Sequence, residues 1–336
     1  MAQPDTGQVV CLLGVDGNSL GHRAFHAARA EAAPGEAFVT GAVVSMLASV
    51  WPLGPYAGIV VGFDHEHNRR KDDHPDYKAH REPPHPDLPG HLQRLREHLA
   101  ACGWLVAEHD GAEADDVLAA VADGCVARGW RCDVLSSDRD LTALVGPDVR
   151  LLRPRARFAD LLVEDESAVR KSYGIEPWQY PDLAALRGDP SDGLSGARGI
   201  GEKTAARLLR DHGTVTELYA ALNRLPPRVE AALREGRQRV ERNLEVMAPI
   251  PHLPVDVEAA VHAGVDIERV QAVLEPLGLG AAARRLSRAL SAPPLPPREH
   301  WPPEAPSEPF DTYTPSAPAQ PTPPPAPVTG EQVALF

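Results

Sequence analysis

The sequence lacks any run of about 18 apolar residues, so no segment is expected to span a membrane. Its first residues, MAQPDTGQ, lack the basic start and apolar stretch of a secretory leader, and a cytoplasmic protein is expected. Cysteine is scarce. Its four copies (Cys11, Cys102, Cys125, Cys132) form no CxxC pair and no metal-finger spacing, which argues against a disulfide framework or a thiolate zinc site. Reduced, buried thiols are expected instead. Positive charge is also short: 34 basic against 47 acidic side chains give −13. That balance excludes a protein that coats polyanions through general basicity. It still allows a local basic surface for nucleic acid, especially where divalent cations offset carboxylates. No dimerisation signal is visible, and a monomer is expected.

What is present is unevenly spread. Fifteen of the 35 prolines lie between Pro293 and Pro327, so that stretch reads as an extended tail and folded material is expected to end near Leu290. The first half alternates apolar strand-like runs at 9–16, 56–64, 131–138 and 149–154 with helical patterns at 38–50, 89–102 and 113–127. Such alternation predicts an α/β fold, a parallel sheet with helices on both faces. From about 165 amphipathic helices take over, at 164–173, 201–212, 214–223 and 226–247. Residues 1–165 are expected to form one domain and 166–290 a helical second.

Three of the four strand runs end in aspartate: Asp16 in LLGVDGNS, Asp64 in VVGFDHE and Asp138 in LSSDRD. In an open parallel sheet, side chains beyond the carboxyl ends of the strands converge at one edge. A lone aspartate there is usually a turn or cap residue; three in equivalent positions suggest a site. EADDVLAA adds Glu113, Asp115 and Asp116 at the start of a helix. Glu113 and Asp116, three apart, are expected to share a face, with Asp115 pointing differently. Acids in a first helical turn are favoured by the dipole, which accounts for one or two of them. Asp140, and Asp189 and Asp192 in GDPSD, complete a set of nine. Nine converging acids without cations would leave some protonated at neutral pH. Oxygen ligands without matching histidine or cysteine favour Mg²⁺ or Mn²⁺. Two such ions about 3.5–4 Å apart suit in-line displacement at a phosphodiester.

The stretches LGVDGNSLGHRAFHA, FDHEHNRRKDDHPDYKAHR, GAEADDVLA, SSDRDLTALV and LRGDPSDGLSGARGIGEKTAARLL follow one another in order. In them the sequence resembles the 5′-nuclease (flap endonuclease) superfamily, most nearly the 5′–3′ exonuclease domain found at the N-terminus of bacterial DNA polymerase I. The likeness runs from about residue 8 to 290. It implies a PIN-like core with a helical arch near 66–100, then a helical domain with a helix–hairpin–helix near 189–212. It also implies cleavage of 5′-ended or flapped DNA with two Mg²⁺ or Mn²⁺ ions, in replication and repair. By motif position, Asp16, Asp64, Glu113, Asp115 and Asp116 correspond to acids of the first metal. Asp138, Asp140, Asp189 and Asp192 correspond to those of the second. Gly21-His22 departs from the usual Ala-Tyr, and Asp72 and Asp73 add acids near the arch. No polymerase sequence follows, which implies a freestanding nuclease.

A scissile phosphate also needs protein cations. Arg23, two helical turns past Asp16, is expected to point back at the site. Lys78 and Arg81 in YKAHR are expected on one helix face, where the resembled family's arch contacts the reacting phosphate, with Tyr77 placed to stack on a base. GARGIGEKTAARLL (196–209) follows a turn, not a strand, so it fails the test of a dinucleotide fingerprint. It reads as a helix–hairpin–helix: Gly199 and Gly201 flank Ile200, backbone N–H groups face a phosphate, and Lys203 adds charge. In relatives the hairpin carbonyls hold a monovalent cation, and K⁺ is the candidate here. QVALF at the end, with Gln332, Leu335 and Phe336, resembles the Q-x-x-L-F peptides that engage the bacterial sliding clamp; an ordinary frayed tail is the alternative. A catalytically silent DNA-junction binder and a PIN-type ribonuclease are the competing functions. The nine acids argue against the first and the hairpin against the second.

Overall fold

The computed structural model describes residues 9–29, 35–155 and 161–292. The proline-rich tail and the peptide with Gln332, Leu335 and Phe336 lie outside the described residues. Side-chain alternation builds the centre of the fold. Along β1 (Cys11–Asp16), Leu13 and Val15 enter one core while Leu12 enters another on the opposite face of the sheet. Such a doubly covered strand needs apolar residues throughout, and β1 is buried along its whole length.

α1 (Gly17–Arg29) and α2 (Phe38–Val50) lead to β2 (Tyr56–Gly62), the short α3 (Arg69–Asp73), α4 (Leu88–Ala101), β3 (Leu105–Ala107) and α5 (Ala114–Val126). β4 (Arg131–Leu135), β5 (Val149–Pro154) and β6 (Leu161–Glu164) complete a six-stranded sheet of order β3-β2-β1-β4-β5-β6. The first five strands run parallel; β6 pairs antiparallel with β5 at the edge. Two of these strands were not foreseen. Three residues are too few for β3 to show a period, and the β6 residues LLVE run directly into a helical pattern.

Beyond the sheet come α6 (Glu166–Tyr173), α7 (Tyr180–Arg187), a two-stranded hairpin of β7 (Gly188–Asp189) and β8 (Leu194–Ser195), then α8 (Glu202–His212), α9 (Val215–Ala220) and α10 (Pro227–Met247). Ile175, Leu183, Leu186, Ile200, Leu209, Leu218, Leu233 and Val240 build a second core here. The amide of buried Asn243 donates to the Ala185 and Ser195 carbonyls, both at 3.1 Å, pinning α10 across α7 and the hairpin. The final helices return to the sheet. α11 (Val257–Ala263) lies on β2, whereas α12 (Ile267–Leu274) and α13 (Gly280–Ser291) join the core formed by α2 and α4. The expected helical stretch 166–290 is therefore shared among three cores, since Val169, Val257 and Ala260 pack on the sheet face that Leu12 enters.

The arch region differs most from expectation. Only α3, five residues long, and α4 are helical there; residues 75–80 form turns, and Lys78 sits at φ 56°. Pro75, Pro83, Pro84 and Pro86 cannot donate within a helix and restrict the residues before them, so no helix carries Lys78 and Arg81.

Gly58 of β2 shows how closely the returning chain approaches. A Cβ there would stand 2.3 Å from the Ala260 carbonyl oxygen, backbone that has little room to yield. Gly58→Ala is expected to destabilise by about 1–3 kcal/mol. Gly35→Ala, where a Cβ meets nothing within 4 Å, should leave the melting temperature nearly unchanged. Thermal melts of the two variants beside the parent check this.

Candidate active site

The parallel strands deliver acids to their carboxyl ends, and local hydrogen bonds fix each one. Asp16, the last residue of β1, accepts from the Ser19 N–H at 2.8 Å and the Ser136 hydroxyl at 2.6 Å. Asp64, two residues past β2, accepts from the Asn18 amide at 2.7 Å and the Ala114 N–H at 2.8 Å. Asp138, three past β4, accepts from the Asp140 N–H at 2.9 Å, while its own N–H donates to Ser136 at 3.0 Å. Asn18 and Ser136 thus aim three strand-end acids. Asn18, in the first turn of α1, and Ser136, just past β4, are small polar residues of a kind too common for sequence inspection to single out.

At α5 the expected roles of the three acids are rearranged. Glu113 is extended and caps the helix, with Asp116 at the third helical position closing a capping box. The Asp116 carboxylate is then taken up entirely by protein. It accepts two hydrogen bonds of 2.6 Å from Arg70, one from the Glu113 N–H at 2.9 Å and one from the Ile250 N–H at 2.8 Å. Arg70 also donates to the Val246 and Ala248 carbonyls, so this pair ties α3, α5 and the end of α10 together. Asp115, expected to reach the metals from the side, lies near Asp138 and Asp16, and burial together with their charges holds its carboxyl well above the usual range. Glu113 is engaged by Asn68, Tyr77 and Lys78, and Asp116 by Arg70, while the intervening acid is left to Asp16 and Asp138. Among the nine, Asp116 is the fully buried acid whose two oxygens are both held by one guanidinium. Arg70 itself went unassigned in the run HNRRKDD.

The second group hangs on the hairpin. Asp189, buried, accepts from the Ser191 N–H at 2.8 Å; Asp192 accepts from Arg81 at 2.7 Å. Asp140 is raised by burial first and then by Asp138, Asp189 and Asp192, and its buried Oδ1 has no hydrogen-bond partner. Asp138 acts on Asp16, Asp115, Asp140 and Asp192 alike, and so joins the two groups electrostatically. Glu113, Asp115, Asp116, Asp140 and Asp192 line one cavity of about 70 Å³ with Arg70 and Tyr77. Among the described residues, no three of the nine carboxylates bring one oxygen each within 4.8 Å of one another. Five of the acids share this cavity, and all nine stand apart as like charges do.

The basic residues come from the turn segment, folded onto the acids. Lys78 donates to Glu113 at 2.7 Å, and its N–H donates to the Asp192 carbonyl at 3.0 Å. Arg81 bonds Asp192 and the Ser191 carbonyl. Tyr77 is not displayed for stacking. Its ring is 4% exposed, packed with Leu194 and Val246, and its hydroxyl donates to Glu113 at 2.9 Å. Without a helix to project it, the ring does better buried than in water. Arg23, half-buried on α1, donates to the Arg155 carbonyl.

At the hairpin Gly199 takes φ +85°, a conformation L side chains avoid, and Ile200 is buried in the second core. Gly201 caps α8, and Lys203 is exposed on its first turn. An open groove of about 920 Å³ runs past Gly188, Gly199 and Gly201, flanked by Arg187, Arg198, Arg239 and Glu235. Arg198 and Arg239, rather than Lys203, line this groove. Arg239 was missed because it lies some forty residues from the hairpin motif.

Two predictions follow from these charges. Burial pushes Asp16 up to about 7 against the opposing hydrogen bonds from Ser136 and Ser19. The folded protein therefore keeps a proton that the unfolded chain has already released, and metal-free stability falls as pH rises between about pH 5 and pH 7. Melting curves in EDTA should show this decline, Mg²⁺ should offset it, and Asp16→Asn should reduce it. For the ion pair, Arg70→Ala leaves the fully buried Asp116 charge uncompensated. A loss of about 3 kcal/mol or more is expected by urea unfolding, larger than for Arg70→Ala combined with Asp116→Ala.

Comparison with known proteins places this geometry. Models of the 5′–3′ exonuclease family match twice: the N-terminal resolvase-like domain over residues 11–174 and the C-terminal SAM fold over 175–267. DNA polymerase I of Mycobacterium bovis is 36% identical over 249 residues, 73% of this chain and 28% of that protein. Thermostable DNA polymerase I of Thermus aquaticus is 32% identical over 295 residues, 85% of this chain and 34% of that one. The chain thus spans about a third of the length of these curated relatives. Among solved structures, T5 5′-exonuclease with bound zinc ions aligns with a TM-score of 0.58 at 20% identity, over 83% of this chain and 99% of that one. Human GEN1 in complex with Holliday junction DNA aligns at 0.55 and 14% identity, over 83% and 71%. Those two likenesses concern the fold. The two matched models cover the acid-bearing sheet and the hairpin helices in one uninterrupted order, and the chain belongs to the 5′–3′ exonuclease family.

Proposed function

We propose that this chain is a structure-specific 5′–3′ exonuclease and flap endonuclease, hydrolysing DNA phosphodiesters in replication and repair. The observation that carries the reading is the acidic pocket: Asp115 faces Asp16 and Asp138, and Asp140 keeps a buried oxygen without a hydrogen-bond partner. Divalent cations fit such a set, since every donor is an oxygen and the raised acids have unspent affinity for positive charge. Asp16, Asp64, Glu113 and Asp115 would hold one Mg²⁺ or Mn²⁺, and Asp138, Asp140, Asp189 and Asp192 a second. When bound, the pair supplies Lewis acidity for water attack and leaving-group stabilisation at a phosphodiester.

The chain's own residues orient the reaction. Lys78 and Arg81 now neutralise Glu113 and Asp192, and a phosphate entering beside the acids would take over those two cations. Arg70 keeps the Asp116 end of α5 fixed while they move. Arg23 lies on the helix that follows Asp16, where a second phosphate of the strand would pass. The open groove at Gly199 and Gly201, with Arg198 and Arg239, suits the duplex backbone and positions it without reading sequence. A K⁺ ion at the hairpin carbonyls, a monomeric cytoplasmic protein and a sliding-clamp contact through Gln332, Leu335 and Phe336 complete the reading. The named DNA ligand of GEN1, a relative in fold, supports a junction or flap substrate.

Incubation with a 5′-flap duplex and Mg²⁺ tests this. Cleavage near the flap junction is expected, with Asp138→Ala slower by roughly 10²-fold or more. A protein that binds the flap without cutting would support the silent junction binder. Preference for single-stranded RNA without a flap would support a PIN-type ribonuclease.

A further inference from the structure

Beside the nine acids, but separate from them, two histidines and an aspartate meet where the segment after β2 crosses the turn before α5. The crossing is held by backbone: the His65 N–H donates to the Ala112 carbonyl and the Arg69 N–H to the Gly111 carbonyl, both at 3.1 Å. Asp110 Oδ1 lies 3.4 Å from His65 Nδ1 and 2.8 Å from His67 Nδ1. One ligand atom from each of the three residues falls within 4.8 Å of the other two.

We propose that His65, His67 and Asp110 form a separate metal site for a transition-metal dication of the Zn²⁺ class, bound through the two Nδ1 atoms and the Asp110 carboxylate. Bond lengths of about 2.0–2.2 Å at a tetrahedral centre require ligand atoms about 3.4 Å apart. The His65–Asp110 separation meets that already, and the His67–Asp110 contact needs to open by little more than half an ångström. His65 Nδ1 now accepts from the His67 backbone N–H at 3.2 Å, a long bond that a metal ion would displace.

The outer ring nitrogens give an independent indication. His67 Nε2 lies 2.7 Å from Asp72 Oδ2, and His65 Nε2 lies 4.0 Å from Glu108 Oε1. The Asp72 carboxylate behind His67 is the arrangement that fixes the tautomer and strengthens imidazole as a metal ligand, whereas Glu108 stands beyond hydrogen-bond reach of His65 and pairs with Arg96. Two imidazoles and one carboxylate favour Zn²⁺, Co²⁺ or Ni²⁺ over Mg²⁺, unlike the all-oxygen pocket nearby. The exposure of His67 and Asp110 leaves room for water in the remaining positions, so the ion is exchangeable. Its place is informative. His65 directly follows Asp64 and Ala112 directly precedes Glu113, so a bound ion clasps the two segments that present those acids.

The test uses the full chain, stripped of metal and held in excess Mg²⁺ to occupy the acidic pocket, with Co²⁺ as the probe. One Co²⁺ per chain is expected, with a visible d–d band and a raised melting temperature. His65→Ala and His67→Gln should each weaken Co²⁺ binding by roughly tenfold or more and remove the band, while Mg²⁺-dependent flap cleavage is retained. His67→Gln preserves hydrogen bonding, and melting in EDTA confirms that either variant is folded. Absence of Co²⁺ binding in Mg²⁺, or equal binding by parent and variants, overturns the proposal. Co²⁺ binding and the d–d band are read without a nuclease assay, so their failure is distinguishable from failure of the nuclease reading.

Discussion

Like charges confined at one edge of the sheet set the terms for everything around them. Asp16, Asp64 and Asp138 sit at or just past strand ends, where backbone direction leaves their side chains little choice. Burial and mutual repulsion raise Asp16, Asp115, Asp140 and Asp192 above their ordinary range. The protein answers with fixed hydrogen-bond donors from Ser19, Asn18 and Ser136 and with nearby cations. What those do not neutralise is left for ligands. A pocket built this way is unstable by itself and strongly attracts positive charge.

The turn segment 74–87 takes its shape from the same constraint. Its prolines prevent a continuous helix, and its basic residues find their counter-ions in the acids, drawing the segment onto the β7–β8 hairpin. Tyr77 is buried in consequence. Lys78 and Arg81 thereby serve as counter-ions before any phosphate arrives. Arg70 plays a different part, because its carboxylate partner is wholly buried and its other donors hold the end of α10. Three basic residues within twelve positions thus divide between a structural tie and exchangeable neutralisation.

In the proposed function the two ends of the site would use different chemistry on the same polymer. At the acids, discrete charges and bound cations would act on one phosphate. At the hairpin, Gly199 and Gly201 expose backbone and Arg198 and Arg239 supply diffuse charge along an open groove. Asn243 couples the two by binding the carbonyls of Ala185 and Ser195 on either side of Asp189 and Asp192. The hairpin acids and the groove are consequently tied to the same helix.

Much of this was legible in the sequence. Apolar alternation located β1, β2, β4 and β5 together with α2, α4 and α5, because burial on both faces of a parallel sheet forces long apolar runs. The strand-end aspartates were legible for the same reason, their place following from strand direction alone. The returning helices α11–α13 were not, since nothing local says which core an amphipathic face will join. Nor was the capture of Asp116, which depends on Arg70 reaching in from forty-six residues away. Sequence by itself determined the strands, the helices and which acids stand at the sheet edge, for these follow from periodicity and chain direction. Tertiary structure alone decided which carboxylates are spent on protein partners, because that is settled by groups distant in the chain that meet only after folding.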